Sequence, residues 1–339
     1  MTVIDSISIA VDAGLRYVEP GAPGYRRVRR GRGFSYLTET GDVVNGKVRE
    51  RIEELTIPPA WENVWISRDP LGHAQATGND KAGRKQYIYH RSWEEMRDEV
   101  KFERLGRFGQ RLPSLRRSVD SDLRSQGLPS KKVIALAVAV LDRTLVRVGN
   151  PEYAVRNESY GLTTLTCQHV EVDGKHVHLE FEAKGGAECQ LAFEDRRIAD
   201  LVAQCQELDG QTLFSYETPQ GESASVTSSD VNKYLTETLD GPFTAKDFRT
   251  WGASSLVVGE LARSPVDDPA VKIGEAIDVA ATQLGNSSEV CRDAYIHPLV
   301  VEAGTIGAIG DVWPRARAGK WINREESALR LLLDSEQGR

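Results

Sequence analysis

The chain has 339 residues and a mass of 37.5 kDa, with 40% hydrophobic and 27% charged residues. This ordinary globular usage leaves room for about two domains and excludes disorder, a collagen repeat or a disulfide mini-protein as descriptions of the whole chain. The net charge of −7 hides a split: residues 1–148 carry 26 basic and 19 acidic side chains, residues 149–339 carry 17 and 31. A basic half inside an acidic protein points to a polyanionic partner, although chance unevenness would read the same way. The longest apolar stretch, Val133 to Val148, is broken by Asp142 and Arg143, so no membrane span is expected. The N-terminus has early acid and no basic region, so no secretory signal is expected. Cys167, Cys189, Cys205 and Cys291 form no CxxC pair, which predicts reduced cysteines and a cytoplasmic protein.

In chain order, residues 1–91 predict a small, mainly β lobe. Strand-forming Tyr36, Leu37, Val43 and Val44 flank a Thr-Gly-Asp turn, and Pro and Gly punctuate short strands up to His90. Ser92 followed by Glu95 reads as a capping box opening a charged helix to about Gly106, and the domain boundary is placed before it. Residues 92–339 predict a mainly helical lobe. An apolar helix is expected over 130–148, closed by Gly149. Three strand-like runs follow within 162–193, joined by Asp173-Gly174 and by Lys184-Gly185-Gly186. Helices are expected at about 195–208, 228–239, 246–261, 269–284 and 321–333. The fold class is therefore α+β, a β lobe followed by a helical lobe with a three-stranded hairpin sheet.

Two basic clusters mark the first lobe: Arg26, Arg27, Arg29, Arg30 and Arg32, then Lys81, Arg84 and Lys85. On a strand after the second, Tyr87 and Tyr89 share a face with Lys85, while Gln86, Ile88 and His90 take the other. Basic residues interleaved with aromatics suit a nucleic-acid backbone with bases above it; a solvated strand packed on its own lobe fits the same pattern. No P-loop, nucleophile-elbow or HExxH motif is present, and His176 and His178 lack a third ligand at sensible spacing. Phosphoryl chemistry in this chain would therefore run without a nucleotide site or a dedicated metal cage.

Five further segments, in order, complete a pattern. They are Leu145-Val-Arg147-Val-Gly149-Asn, Gly161-Leu-Thr-Thr-Leu, Phe181-Glu-Ala-Lys184-Gly-Gly, Lys246-Asp-Phe-Arg249-Thr-Trp-Gly and Cys291-Arg-Asp-Ala-Tyr295. With the segment from Ile57 to His90, they resemble the type IB DNA topoisomerases of the compact bacterial and poxvirus kind, over about residues 24–300.

The resemblance implies the catalytic fold shared with tyrosine recombinases, with Tyr295 as nucleophile and Arg147, Lys184 and Arg249 as catalytic cations. Asn286 falls where many relatives have histidine. Gln86, Tyr87, Tyr89 and Tyr153 match positions that touch duplex DNA, beside the basic Arg84 and Lys85. It also implies double-stranded DNA as partner, no cofactor, no metal, no nucleotide, no membrane, a monomer and a nucleoid-associated location. Strand cleavage would proceed through a 3′-phosphotyrosine, without ATP. Two readings compete: a tyrosine recombinase, which usually has histidine where Lys246 stands, and a catalytically silent DNA-binding protein.

Overall fold

A computed structural model describes residues 3–208, 210–218, 220–264 and 267–337. The chain forms two compact units, Met1–Glu103 and Arg104–Arg339.

The first unit begins with helix α1 (Val3–Asp12). Strands β1 (Gly24–Arg30) and β2 (Gly33–Leu37), helix α2 (Gly46–Glu54), and strands β3 (Glu62–Ser67), β4 (Ala74–Asn79) and β5 (Lys85–Tyr89) follow. The strands make one antiparallel sheet in the order β2-β1-β3-β4-β5. One sheet face buries Tyr36, Val64, Ile66 and Ala76 with Ile52 of α2. A second cluster joins Ile9, Ala10 and Leu15 to Trp93, with Tyr17 and Tyr89 against it. The expected β lobe is therefore present, but α1 and α2 lie outside the sequence expectation. The first turns of α1 are rich in β-branched residues, which favour helix weakly, so packing rather than propensity holds it.

Arg27 differs from its basic neighbours. It donates to the carbonyls of Ile57, Pro58 and Trp61 and lies over the Phe34 ring, 4.2 Å from its centroid. It ties β1 to the loop before β3 and is engaged in the fold.

Helix α3 (Arg91–Asp122) runs through the division between the units. It opens one residue before the expected capping box, and His90 Nδ1 accepts from the Ser92 N–H. It also continues well past Gly106. The cause is the buried series Leu105, Phe108, Leu112, Leu115 and Val119, whose three- and four-residue spacing outweighs the glycine and Pro113.

In the second unit, α4 (Ser130–Thr144) stops earlier than expected. Leu145 takes a left-handed conformation with φ 56°, so residues 145–149 leave the helix. Helix α5 (Pro151–Asn157) follows. The strand expected to open at residue 162 is instead two short 3₁₀ turns, 162–164 and 167–169. Strand β6 (Val170–Asp173) then pairs with β7 (His176–Ala183), which pairs with β8 (Ala187–Glu194). Alternation along β7 is strict: Val177, Leu179, Phe181 and Ala183 are buried between exposed acids and His178.

After α6 (Arg196–Gln206) and a hairpin of β9 (Ser215–Glu217) and β10 (Ser223–Ser225), the rest is helical. The helices are α7 (Ser228–Leu239), α8 (Ala245–Arg263), α9 (Pro269–Leu284), α10 (Ser288–Tyr295), α11 (Pro298–Thr305), α12 (Ile309–Val312) and α13 (Arg324–Gln337). The last of these packs along α8. Its buried Glu326 accepts from Trp251 Nε1 of α8 and pairs with Arg116, which also pairs with Asp142. Removing one partner of such a buried network typically costs ~3–5 kcal/mol. The segment after Tyr295 thus braces the helix that carries Arg249. Among the described residues, no helix is long and apolar enough to cross a membrane.

Candidate active site and nucleic-acid face

Arg147 lies in the extended segment released by the early end of α4. That segment is pinned by the 3₁₀ turn: Leu162 N–H donates to Arg147 O and Thr163 N–H to Val148 O, at 2.8 and 2.9 Å. The approach demands glycine, because a Cβ at Gly161 would fall 2.6 Å from Arg147 O and 2.7 Å from Gly149 N. Arg147 Nη2 donates to Asn286 Oδ1, in the loop between α9 and α10. That bond orients the amide, and Asn286 Nδ2 is left buried without a hydrogen-bond partner among the described residues.

Arg249 is 4% exposed and faces Tyr295, its guanidinium carbon 4.9 Å from the ring centroid. Its two terminal nitrogens donate to Leu145 O and Leu284 O, at the ends of α4 and α9, while Nε has no partner among the described residues. Among the described residues, no carboxylate forms an ion pair with Arg147 or Arg249.

Burial pushes the Tyr295 hydroxyl up. The charge and hydrogen bonding of Arg249, then the charges of Arg147 and Lys246, outweigh burial and hold it below its ordinary value. Two thiols share the neighbourhood. Burial raises Cys189 against the pull of Arg147 and Arg249, and pushes Cys291, one turn before Tyr295, up to about 11. At neutral pH these sulfurs stay protonated, so they are poor nucleophiles beside the phenol.

Lys184 occupies the exposed turn between β7 and β8, where Gly185 and Gly186 take φ values of 89° and 76°. Lys246, in the first turn of α8, bears on Tyr295 electrostatically; the sequence signal for it is its place three residues before Arg249, on the same helix face. His297 is the N-cap of α11 and accepts from Leu299 N–H.

In the first unit, Tyr87 and Tyr89 share a face, their rings stacked with centroids 5.5 Å apart and planes 3° apart. Lys85 Nζ lies 5.6 Å from the Tyr87 centroid. Strand register places Arg26, Trp65, Thr77 and Tyr87 in one cross-strand row, with Arg26 and Tyr87 exposed. Tyr89 packs toward His73 and Trp93. Arg84 and Gln86 both donate to Asp80 Oδ2 in the β4–β5 turn, at 2.7 and 2.9 Å. The Arg84 hydrogen bond, joined by that of Gln86, holds the Asp80 carboxyl down at about 2. Tyr153 falls in α5 and its side chain lies outside the described residues. Among the described residues, no group of three or more His, Cys, Asp or Glu could hold a metal ion.

Comparison with known proteins identifies the family. The catalytic core of eukaryotic DNA topoisomerase I matches residues 90–297, and the N-terminal domain of bacterial DNA topoisomerase IB matches residues 33–80. A DNA topoisomerase 1B of Acanthamoeba polyphaga mimivirus is 32% identical over 289 residues, 82% of this chain and 86% of that protein. The DNA topoisomerase 1B of Vaccinia virus is 19% identical over 253 residues, 73% and 77% of the two chains. A DNA topoisomerase 1 of Mycosarcoma maydis is 25% identical over 65% of this chain, which spans only 25% of that protein. The chain belongs to the type IB DNA topoisomerases, a family of DNA-acting isomerases.

Proposed function

We propose that this enzyme relaxes supercoiled double-stranded DNA by cutting and resealing one strand, with Tyr295 as nucleophile. The Tyr295 hydroxyl gives up its proton to water, its oxygen attacks the scissile phosphorus, and the bond from phosphorus to the 5′ oxygen breaks. A 3′-phosphotyrosyl linkage and a free 5′ hydroxyl result. The proton that the 5′ oxygen needs comes from Lys184, delivered by the hairpin turn. Arg147 and Arg249 hold the non-bridging oxygens through their forked donors, and Asn286 adds an amide N–H without exchanging a proton. A preorganised donor of this kind is worth ~10²–10³ in rate. Attack by the 5′ hydroxyl reverses the step, so the energy of the phosphodiester is retained and no ATP is used.

The observation that carries this reading is the buried Arg249 against Tyr295, with Arg249 Nε and Asn286 Nδ2 both lacking a partner. Buried donors left unsatisfied in a native fold call for an explanation, and phosphate oxygens of the substrate would supply one here. Lys85 and Tyr87, with Arg26 along the same row, supply duplex contacts from the first unit, and a monomer suffices because all five catalytic groups lie on one chain. A cytoplasmic, nucleoid-associated location follows from that substrate.

The test is relaxation of a supercoiled plasmid in EDTA without ATP, beside Tyr295→Phe. The wild type should relax plasmids of unrelated sequence, and the variant should bind DNA within about threefold yet form no covalent complex. A denaturant-trapped covalent complex with Tyr295→Phe would refute the nucleophile. Relaxation confined to one sequence would favour the recombinase, and binding without relaxation the silent binder.

A further inference from the structure

Ser254 lies on α8, five residues after Arg249, and is fully buried. Its hydroxyl donates to Tyr295 O at 3.1 Å and accepts from His297 N–H at 3.0 Å. Those two backbone groups flank Ile296, where α10 ends and the chain becomes extended. One hydroxyl therefore grips both sides of the bend that follows the tyrosine, using its donor and a lone pair together. The next residue is a built-in contrast. Ser255 is also buried, but among the described residues its hydroxyl bonds within its own helix, to Trp251 O at 2.8 Å.

The same helix thus meets Tyr295 twice. Arg249 faces its ring, and Ser254 holds its backbone. We propose that Ser254 is a positioning residue that locks the nucleophile's backbone to α8, so that the Tyr295 ring keeps its place against Arg249. Without the hydroxyl, Tyr295 O and His297 N–H lose their shared partner in a dry interior and the bend must move to re-pair them. Displacement of a reacting group by about 1 Å can cost ~10² in rate, whereas DNA contacts made elsewhere are untouched. The inference rests on Tyr295 being the nucleophile.

The experiment is single-turnover formation of the covalent complex, with full-length enzyme in saturating excess over a duplex whose departing strand is short enough to dissociate. Ser254→Ala, Ser254→Cys, Ser255→Ala and Tyr295→Phe are compared, with DNA affinity and thermal midpoint measured on each. Ser254→Cys keeps the volume but hydrogen-bonds weakly, and it gives the reading if the alanine variant does not fold. Both Ser254 variants should form the complex at least ~10-fold more slowly with affinity within about threefold, and Ser255→Ala should stay within about threefold of wild type in rate. A Ser254 variant at near wild-type rate would overturn the proposal, as would equal slowing of Ser254→Ala and Ser255→Ala. A covalent complex with Tyr295→Phe would instead remove the nucleophile reading, and this inference with it.

Discussion

Tyr295 and Arg249 act as one unit in which each sets the other's state. Burial raises the phenol, and Arg249, Arg147 and Lys246 together more than reverse this, Arg249 foremost. Removing the Arg249 charge lets burial win, so the phenol's pKa moves upward. Arg249→Ala should therefore cleave at least ~10² more slowly near neutral pH, and the deficit should shrink as pH climbs toward the ordinary tyrosine value of about 10. The check is cleavage rate against pH for both enzymes. A deficit that stays constant across that range would mean that Arg249 acts on the phosphate alone. Arg249→Lys is not a mild change here, because one ammonium cannot reach the carbonyls of Leu145 and Leu284 and still offer a planar fork.

At the scale of elements, the site hangs on two departures from regular structure. Helix α4 ends at Leu145 and releases Arg147, and the β7–β8 turn carries Lys184 into solvent. If that turn delivers the leaving-group proton, Lys184→Ala should be rescued by a substrate with a 5′-bridging sulfur, which departs without one. Cleavage of the two substrates by the variant measures this, and an unrescued variant would assign the acid elsewhere. The sequence was legible where periodicity is strong. The bounds of α7 and α9 agree with the expectation, and β7 does so through its strict alternation. It misled where tertiary packing overrides local signals. Leu145 adopts a conformation that leucine rarely favours, so nothing local announces the end of α4. The long α3 survives Gly106 because its apolar stripe is buried. The candidate catalytic side chains come from ordered motifs, whereas Ser254 bonds to two backbone atoms, and backbone partners leave no side-chain pattern to read.

Across the whole molecule, the basic excess of residues 1–148 separates into different kinds of cation. Arg27 serves the fold and Arg84 pairs with Asp80, whereas Arg26 and Lys85 are exposed beside the Tyr87 row. Lys85→Ala and Arg26→Ala should each lower the slope of log affinity against log salt by about 0.9, equally on all sequences. Arg27→Ala should leave that slope unchanged and instead destabilise the protein by ~1–3 kcal/mol, since buried carbonyls lose their donor. Salt titrations of binding, with melting curves, separate the two kinds, and an altered slope for Arg27→Ala would contradict the assignment. The way Arg249 is held has a thermodynamic consequence. Its charge is met by two carbonyls at helix ends rather than by an acid, so an arriving phosphate displaces no counter-ion. Burial pulls the Arg249 pKa down all the same, so the charged side chain weighs against folding. Any ligand of the folded state adds to its stability through linkage, by ~2.7 kcal/mol when it stands at a hundred times its dissociation constant. If Arg249 meets the phosphate as proposed, substrate and scaffold are coupled in part through its guanidinium, and DNA should raise the thermal midpoint of the protein.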